Sequence, residues 1–112
     1  MRIASPLAFS TIVLLAACAG KTAQDLPAAD RTPQAIFNQI CSRCHGEQGQ
    51  DKAYGVSQVI ADLSQNEVET ALRGYRDGTY GGVFKGVMQK QAGDLSEQEI
   101  PVLALYVSSL GG

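Results

Sequence analysis

Two cysteines and a histidine within five residues constrain this chain more than any other feature. Cys41 and Cys44 are separated by two residues, and His45 follows directly in the string CSRCHG. His45 is the one histidine among 112 residues, and the third cysteine, Cys18, is distant in sequence. Any further partner for these three side chains must therefore come from other residue types.

The C-x-x-C-H pattern is the attachment signature of c-type haem. Two thiols that are two residues apart reach the two vinyl groups of a porphyrin from one turn of backbone and form thioether bonds. The next residue then places its imidazole at the iron as an axial ligand. Cys41 and Cys44 are thus predicted to bind one haem c covalently, with His45 as an iron ligand.

Three other interpretations of this motif are weaker. A thioredoxin-like redox pair expects a βαβ context, which the sequence does not show. A structural zinc site needs four ligands, whereas the motif offers three, two of which are adjacent. A plain disulfide between Cys41 and Cys44 would leave unexplained how a chain with no Trp and seven other aromatic residues fills its core.

The first 17 residues have the pattern of an export signal. Arg2 precedes the apolar stretch Leu7–Leu15, which is too short for a membrane-spanning helix. The string Leu-Ala-Ala-Cys ending at Cys18 resembles a bacterial lipobox, in which the cysteine becomes the lipidated N-terminus. Ordinary signal cleavage without lipid is the alternative. Residues 18–31 are predicted to be the lipidated cysteine and a flexible tether, and residues 32–112 the folded domain.

Apolar spacing in residues 32–112 predicts an all-α domain with three main helices and long loops. The helix starts carry capping signals, which are Thr32 before Pro33, Ser64 with Glu67, and Ser96 with Glu99. Gly78 is expected to end the middle helix. Pro101 is expected to delete a hydrogen bond near the start of the last helix and to kink it.

Taken in order, these features resemble the small class I cytochromes c, in particular the bacterial monohaem c-553 type. The shared features are a helix running into CSRCHG, a helix ending in ALRGYRDG, a glycine-rich loop with one methionine, and a last helix ending in LYVSSL. The resemblance covers residues 32–110. It implies that the first and last helices cross at one haem edge, with Phe37 and Tyr106 at the crossing.

One departure from that family concerns the surroundings of His45. Many members have a proline soon after the haem motif, and its carbonyl accepts a hydrogen bond from the ligand histidine. No proline occurs here between Pro33 and Pro101. The acceptor for the Nδ1–H group of His45 is therefore not identified from the sequence, although one is expected.

Met88 is predicted to be the second axial ligand. The chain has two methionines, Met1 leaves with the signal, and no second histidine exists. Met88 ends a glycine-rich stretch, residues 81–88, that is expected to fold as a loop over the ring. The alternatives are that Met88 merely fills a gap and that the amine of Lys90 competes for the iron once it is deprotonated.

Apolar side chains in the same segments are candidates for the wall of a haem pocket. They are Ile60, Leu63, Leu72, Tyr75, Val83, Phe84 and Val87. Each one taken singly also fits an ordinary core position. Four cations fall in segments expected near the haem edge, where they form either a docking patch or a solvated scatter: Arg43, Lys52, Lys85 and Lys90.

Protein ligands at both axial positions leave the iron able to pass one electron and unable to bind a substrate. The chain has no Ser-His-Asp set, no paired histidines and no second metal cluster, so a carrier rather than an enzyme is predicted. The resemblance implies redox partner proteins, such as a respiratory complex, oxidase, peroxidase or reductase. The net charge of −2 disfavours nucleic acid.

The export signal predicts a bacterial periplasmic protein, either lipid-anchored to the inner or outer membrane or soluble. Two other functions remain open at this point. One is a haem-based gas or redox sensor with a labile sixth ligand, and the other is a cytochrome subunit fixed in an oxidoreductase complex.

Overall fold

The computed structural model describes residues 31–112, so the predicted signal, Cys18 and all of the predicted tether before Arg31 lie outside the described residues. Within that range the helices are α1 (residues 33–45), α2 (Gln65–Asp77), α3 (Lys85–Gly93) and α4 (Glu99–Ser109), with short 3-10 turns at Ala53–Gly55 and Ile60–Asp62. These residues contain no strand, which confirms the all-α class. None of their helices has the length and apolar character needed to cross a membrane.

Helix α1 is continuous but changes its winding in the middle. It is α-helical at Pro33–Ile36, π-helical at Phe37–Cys41 and α-helical again at Ser42–His45. In the π turn the backbone N–H of Ser42 donates to the carbonyl of Phe37, five residues earlier. The wider turn shifts the residues that follow it around the helix axis by about one position, roughly 100°.

The capping signals of α1 and α2 are confirmed. The Thr32 hydroxyl accepts a hydrogen bond from the backbone N–H of Ala35 at 3.2 Å. At the start of α2 the Ser64 hydroxyl accepts from the N–H of Glu67, and the Glu67 carboxylate accepts from the N–H of Ser64. Gly78 follows α2 with a φ of 77°, a left-handed conformation that glycine adopts without steric cost.

Helix α4 begins later than its capping signal suggests. The reciprocal hydrogen bonds between Ser96 and Glu99 are present, at 2.9 and 3.2 Å, but the helix itself starts at Glu99. Pro101 is therefore the third residue of α4. The N–H of Ile100 donates to the carbonyl of Ser96 at 3.3 Å, so helical hydrogen bonding has already begun before Pro101. Pro101 has no N–H to donate to the carbonyl of Glu97, so one hydrogen bond is missing near the start of α4, as expected from sequence.

The core lies where α1 and α4 cross, with α2 packed against both α3 and α4. Its largest fully buried side chains include Phe37, Ile36 and Ile100. The ring of Phe37 meets the ring of Tyr106 edge to face, with centroids 5.6 Å apart and planes at 61°. This contact confirms the crossing of the first and last helices at the two residues expected.

An ion pair joins the residue before α1 to the start of α4. Arg31 donates through Nε and Nη2 to the two carboxylate oxygens of Glu99, at 2.8 and 2.9 Å. Its Nη2 also donates to the carbonyl of Asp94 at 3.1 Å. The Glu99 side chain is only 2% exposed, so Arg31 belongs to the packed structure although the sequence assigned it to the tether.

Candidate functional site

The helices enclose an apolar cavity of about 650 Å³. Its wall contains all four side chains predicted to hold a haem, namely Cys41, Cys44, His45 and Met88. The seven apolar residues predicted for the pocket also line it, and so do Leu103 and Val107 of α4. Residues that are spread over half of the sequence thus meet at one site.

The π turn in α1 helps to place the motif at this cavity. Phe37, at the beginning of the turn, is fully buried and contacts Tyr106 of α4. Cys41, four residues later, lines the cavity instead. In an unbroken α-helix residues four apart share a face, so the extra residue in the turn lets α1 bury Phe37 and present Cys41 and His45 in a different direction.

His45 ends α1 and is 6% exposed. Burial lowers the pKa of its imidazole, which favours the neutral form that binds metals. The backbone of Asp51 acts in the opposite direction and raises this pKa, although Nδ1 has no partner within hydrogen-bond geometry among the described residues. The backbone N–H of Asp51 donates to the His45 carbonyl at 2.8 Å, which holds the Asp51 peptide beside the ring.

Gly46 turns the chain away after His45. Its φ is 81°, and a Cβ atom there would lie 2.5 Å from Oε1 of Gln50 and 2.6 Å from a carboxylate oxygen of Asp51. The exposed side chains of Gln50 and Asp51 could move away from such an atom, so it is the positive φ that requires glycine. The loop that follows can therefore fold back against the histidine.

Cys41 is half-buried, Cys44 is exposed, and both are free thiols. Burial raises the pKa of Cys41 to about 12. Thiol redox pairs act through a thiolate whose pKa is lowered, so this environment disfavours that chemistry. Within residues 31–112 no three side chains of Cys, His, Asp or Glu converge as a metal site, which disfavours zinc.

Met88 lies on a helix rather than in the glycine-rich loop that the sequence suggested. It is the fourth residue of α3, and the loop ends at Phe84. Met88, Gln91 and Ala92 of α3 line the cavity at the spacing of one helical face, and Leu95, just after the helix, lines it too. Lys90, the rival ligand, is exposed and does not line it.

The sequence interpretation did not assign several residues to the cavity wall. Tyr54 and Gln91 line it, and the role of the Asp51 backbone was also not foreseen. The helical spacing from Met88 to Leu95 was a signal for Gln91. Of the four cations near the expected haem edge, all are exposed and Lys85 alone is part of the wall.

This donor set fits a haem c. Two free thiols, a buried imidazole in its neutral form and a half-buried thioether line one cavity whose remaining wall is mostly apolar. Thioether formation uses the thiols, and a neutral imidazole and a thioether are both ligands that haem iron accepts.

A family model described as cytochrome C oxidase, cbb3-type, subunit III matches residues 28–107. Cytochrome c-553 of Desulfomicrobium norvegicum is 36% identical over 73 residues, which cover 65% of this chain and 89% of that protein. Cytochrome c-553 of Nitratidesulfovibrio vulgaris is 33% identical over 99 residues, covering 88% of this chain and 96% of that protein. Cytochrome c-553 of Helicobacter pylori is 34% identical over 70 residues, covering 62% and 70%.

Proposed function

This chain belongs to the family of small c-type cytochromes, and from that premise we propose that it carries single electrons between redox proteins of the bacterial periplasm. Members of this family are haem c proteins that transfer electrons. The observation that supports the assignment most directly is that the cysteines and histidine of the CSRCHG motif line the same cavity as Met88.

In this proposal Cys41 and Cys44 would hold the haem through thioether bonds, and His45 and Met88 would bind its iron. The bound haem supplies an iron that alternates between Fe(II) and Fe(III). With His45 and Met88 both bound to the iron, no position would remain for a substrate. The apolar wall excludes water, and the thioether of Met88 favours the ferrous form and raises the reduction potential.

The Asp51 carbonyl is the proposed acceptor for the ring N–H of His45. It would replace the proline carbonyl that this chain lacks: the Asp51 backbone raises the pKa of the ring, which is the direction that an accepting carbonyl gives. A hydrogen bond from the ring nitrogen that does not bind the metal orients a ligand histidine and increases its basicity. The N–H of Asp51 on the His45 carbonyl holds the two residues together.

A periplasmic location and a lipid anchor at Cys18 are parts of the same proposal. The support is the sequence pattern of residues 1–18. A lipidated N-terminal cysteine carries more than one acyl chain, which anchors a protein stably. Mass spectrometry of the mature N-terminus should find a chain that starts at Cys18 with added lipid mass. A chain that starts at Ala19, Gly20 or Lys21 without lipid would instead make the protein soluble.

Redox titration with optical spectra tests the proposed ligands. Oxidised wild-type holoprotein should show the weak near-infrared sulfur-to-iron band. Met88→Ala should abolish this band, lower the reduction potential and allow the reduced protein to bind carbon monoxide. Lys90→Ala is the matched control on the same helix, and it should leave the band and the potential unchanged.

Each result separates the carrier from another function. Carbon monoxide binding by the reduced wild-type protein would favour a sensor with a labile sixth ligand. Absence of the band from the wild-type protein, with a potential that changes in Lys90→Ala but not in Met88→Ala, would assign the ligand to Lys90. Purification at fixed stoichiometry with an oxidoreductase would favour a fixed subunit.

A further inference from the structure

Two aromatic rings stack across the wall of the cavity. The rings of Tyr54 and Phe84 have centroids 4.6 Å apart and planes at 25°. Both residues line the cavity, yet they are 59% and 42% exposed, so the stack lies at its outer edge. Tyr54 belongs to the loop that follows His45, and Phe84 directly precedes the helix that carries Met88.

The backbone of Tyr54 is strained. Its φ of 53° makes it the one residue other than glycine with a positive φ in residues 31–112. A tyrosine avoids this left-handed region because its Cβ crowds the backbone. Such conformations persist only where the surroundings enforce them, and they cluster at functional sites.

Hydrogen bonds within the loop enforce this conformation. The N–H of Gly55 donates to the carbonyl of Lys52 at 2.9 Å, and the N–H of Ala53 donates to the Ser57 hydroxyl at 2.8 Å. The N–H groups of Val56 and Ser57 both donate to the carbonyl of Ala53. The turn is thus fixed by its own backbone, and it directs the ring of Tyr54 towards Phe84.

Phe84 is connected to Met88 through one turn of helix. The Phe84 carbonyl accepts from the N–H of Val87 at 3.0 Å, and Phe84 and Met88 both line the cavity. No side chain caps the start of α3. The stack with Tyr54 is a side-chain contact that joins the beginning of α3 to the loop after His45.

We propose that Tyr54 and Phe84 form an aromatic clasp, whose function is to position α3 so that Met88 leaves the iron slowly. This inference rests on the proposed ligation by Met88. Without the clasp, the start of α3 moves more easily away from the cavity. An external ligand then replaces Met88 more often. The bond between iron and sulfur breaks, a bond between iron and the external ligand forms, and no electron is transferred.

The rate at which oxidised holoprotein binds imidazole tests the clasp, because imidazole enters only after the sulfur has left. Tyr54→Leu and Phe84→Leu each remove one ring and keep an apolar side chain. Tyr54→Leu also keeps the Cβ and hence the backbone strain. Each variant should bind imidazole about two- to tenfold faster, the factor that corresponds to one aromatic pair. The double variant should be no faster than the singles, because both remove the same contact.

Three controls separate the clasp from other effects. Tyr54→Phe keeps the stack and should bind imidazole at the wild-type rate. Leu105→Ala truncates an exposed apolar side chain that does not line the cavity and should also be unchanged. Glu99→Gln weakens the fold at a distance from the cavity. This variant should bind imidazole at the wild-type rate, which would show that lost stability alone does not release Met88.

Wild-type imidazole rates in both Leu variants would overturn the clasp. Independent effects that multiply in the double variant would overturn it as well. The near-infrared band of the wild-type protein distinguishes this failure from failure of the proposed ligation. If the band is present and the rates do not change, the clasp alone is wrong. If the band is absent, the ligation by Met88 is wrong.

Discussion

At the scale of single residues, Glu99 shows how a buried charge is stabilised in this domain. Burial raises the pKa of its carboxyl group, but the hydrogen bonds from Arg31 and Ser96 and the charge of Arg31 outweigh burial. The pKa of Glu99 is therefore lowered from its ordinary value of 4.5. Such a group adds stability above pH 4.5, and this contribution is lost as the pH falls through the lowered pKa.

Glu99→Gln should reduce the free energy of unfolding by about 2 kcal/mol at pH 7, the range of a hydrogen bond to a charged group. The difference from wild type should shrink as the pH falls from 4.5 through the lowered pKa, because the wild-type carboxyl group of the folded protein then becomes neutral as well. Urea unfolding of holoprotein at several pH values measures this. Glu97→Gln is the control for an exposed ion pair: Glu97 pairs with Arg73 and Arg76 but is 60% exposed, so its loss should destabilise the domain less than Glu99→Gln. A difference that stays constant with pH would contradict the role of the charge.

At the scale of elements, the end of α4 is fixed by a glycine that touches another backbone. A Cβ atom at Gly111 would lie 2.1 Å from the carbonyl oxygen of Ala61, in the turn Ile60–Asp62. The same atom at Gly112 would meet nothing nearer than 4.0 Å. The last turn of the chain thus packs closely on the segment that also supplies Ile60 to the cavity.

Gly111→Ala should lower the free energy of unfolding by about 1–3 kcal/mol, the usual cost of overpacking. Gly112→Ala is the matched control and should leave it within about 0.5 kcal/mol of wild type. Chemical unfolding of the two holoproteins measures the difference. Equal stabilities would mean that the chain end does not dock against Ala61.

Capping residues allowed most of the elements to be predicted, whereas α3 was missed. Ser64 with Glu67 and Gly78 determine the ends of α2 through local hydrogen bonds, which a sequence displays directly. Gly86 and the preceding glycines made the Met88 segment look like a loop. Helix α3 forms nevertheless because Ala92 is buried in the core and Met88 packs against it, a tertiary effect that overrides local propensity.

At the scale of the whole molecule, the site is also the place where the core is incomplete. The thiols and His45 were predictable because their spacing in sequence reflects the chemistry that they perform. The strain at Tyr54 and the position of the Asp51 backbone were not, because both depend on how the loop after Gly46 folds. The cavity itself follows from a chain that has too few large side chains to fill its interior.

Removing the haem should therefore unfold the domain. Without the haem the apolar wall of this cavity of about 650 Å³ is exposed to water, at a cost of about 25 cal/mol per Å² of apolar surface. The whole stability of a small domain is only about 5–15 kcal/mol. The double variant Cys41→Ser with Cys44→Ser should lack covalent haem and lose most of its helical circular dichroism. The single variant Cys44→Ser keeps one attachment point and should retain more of it. Cooperative unfolding of the haem-free double variant with a native helical signal would contradict this prediction.

The π turn of α1 has a consequence for comparing this chain with its relatives. A hydrogen bond that spans five residues, from Ser42 to Phe37, accommodates one residue more than a normal helical turn. A relative whose first helix is α-helical throughout needs one residue fewer to join the equivalents of Phe37 and Cys41 in the same orientations. The correct alignment of two such chains has its gap inside the helix, immediately before the haem motif, and not in a loop.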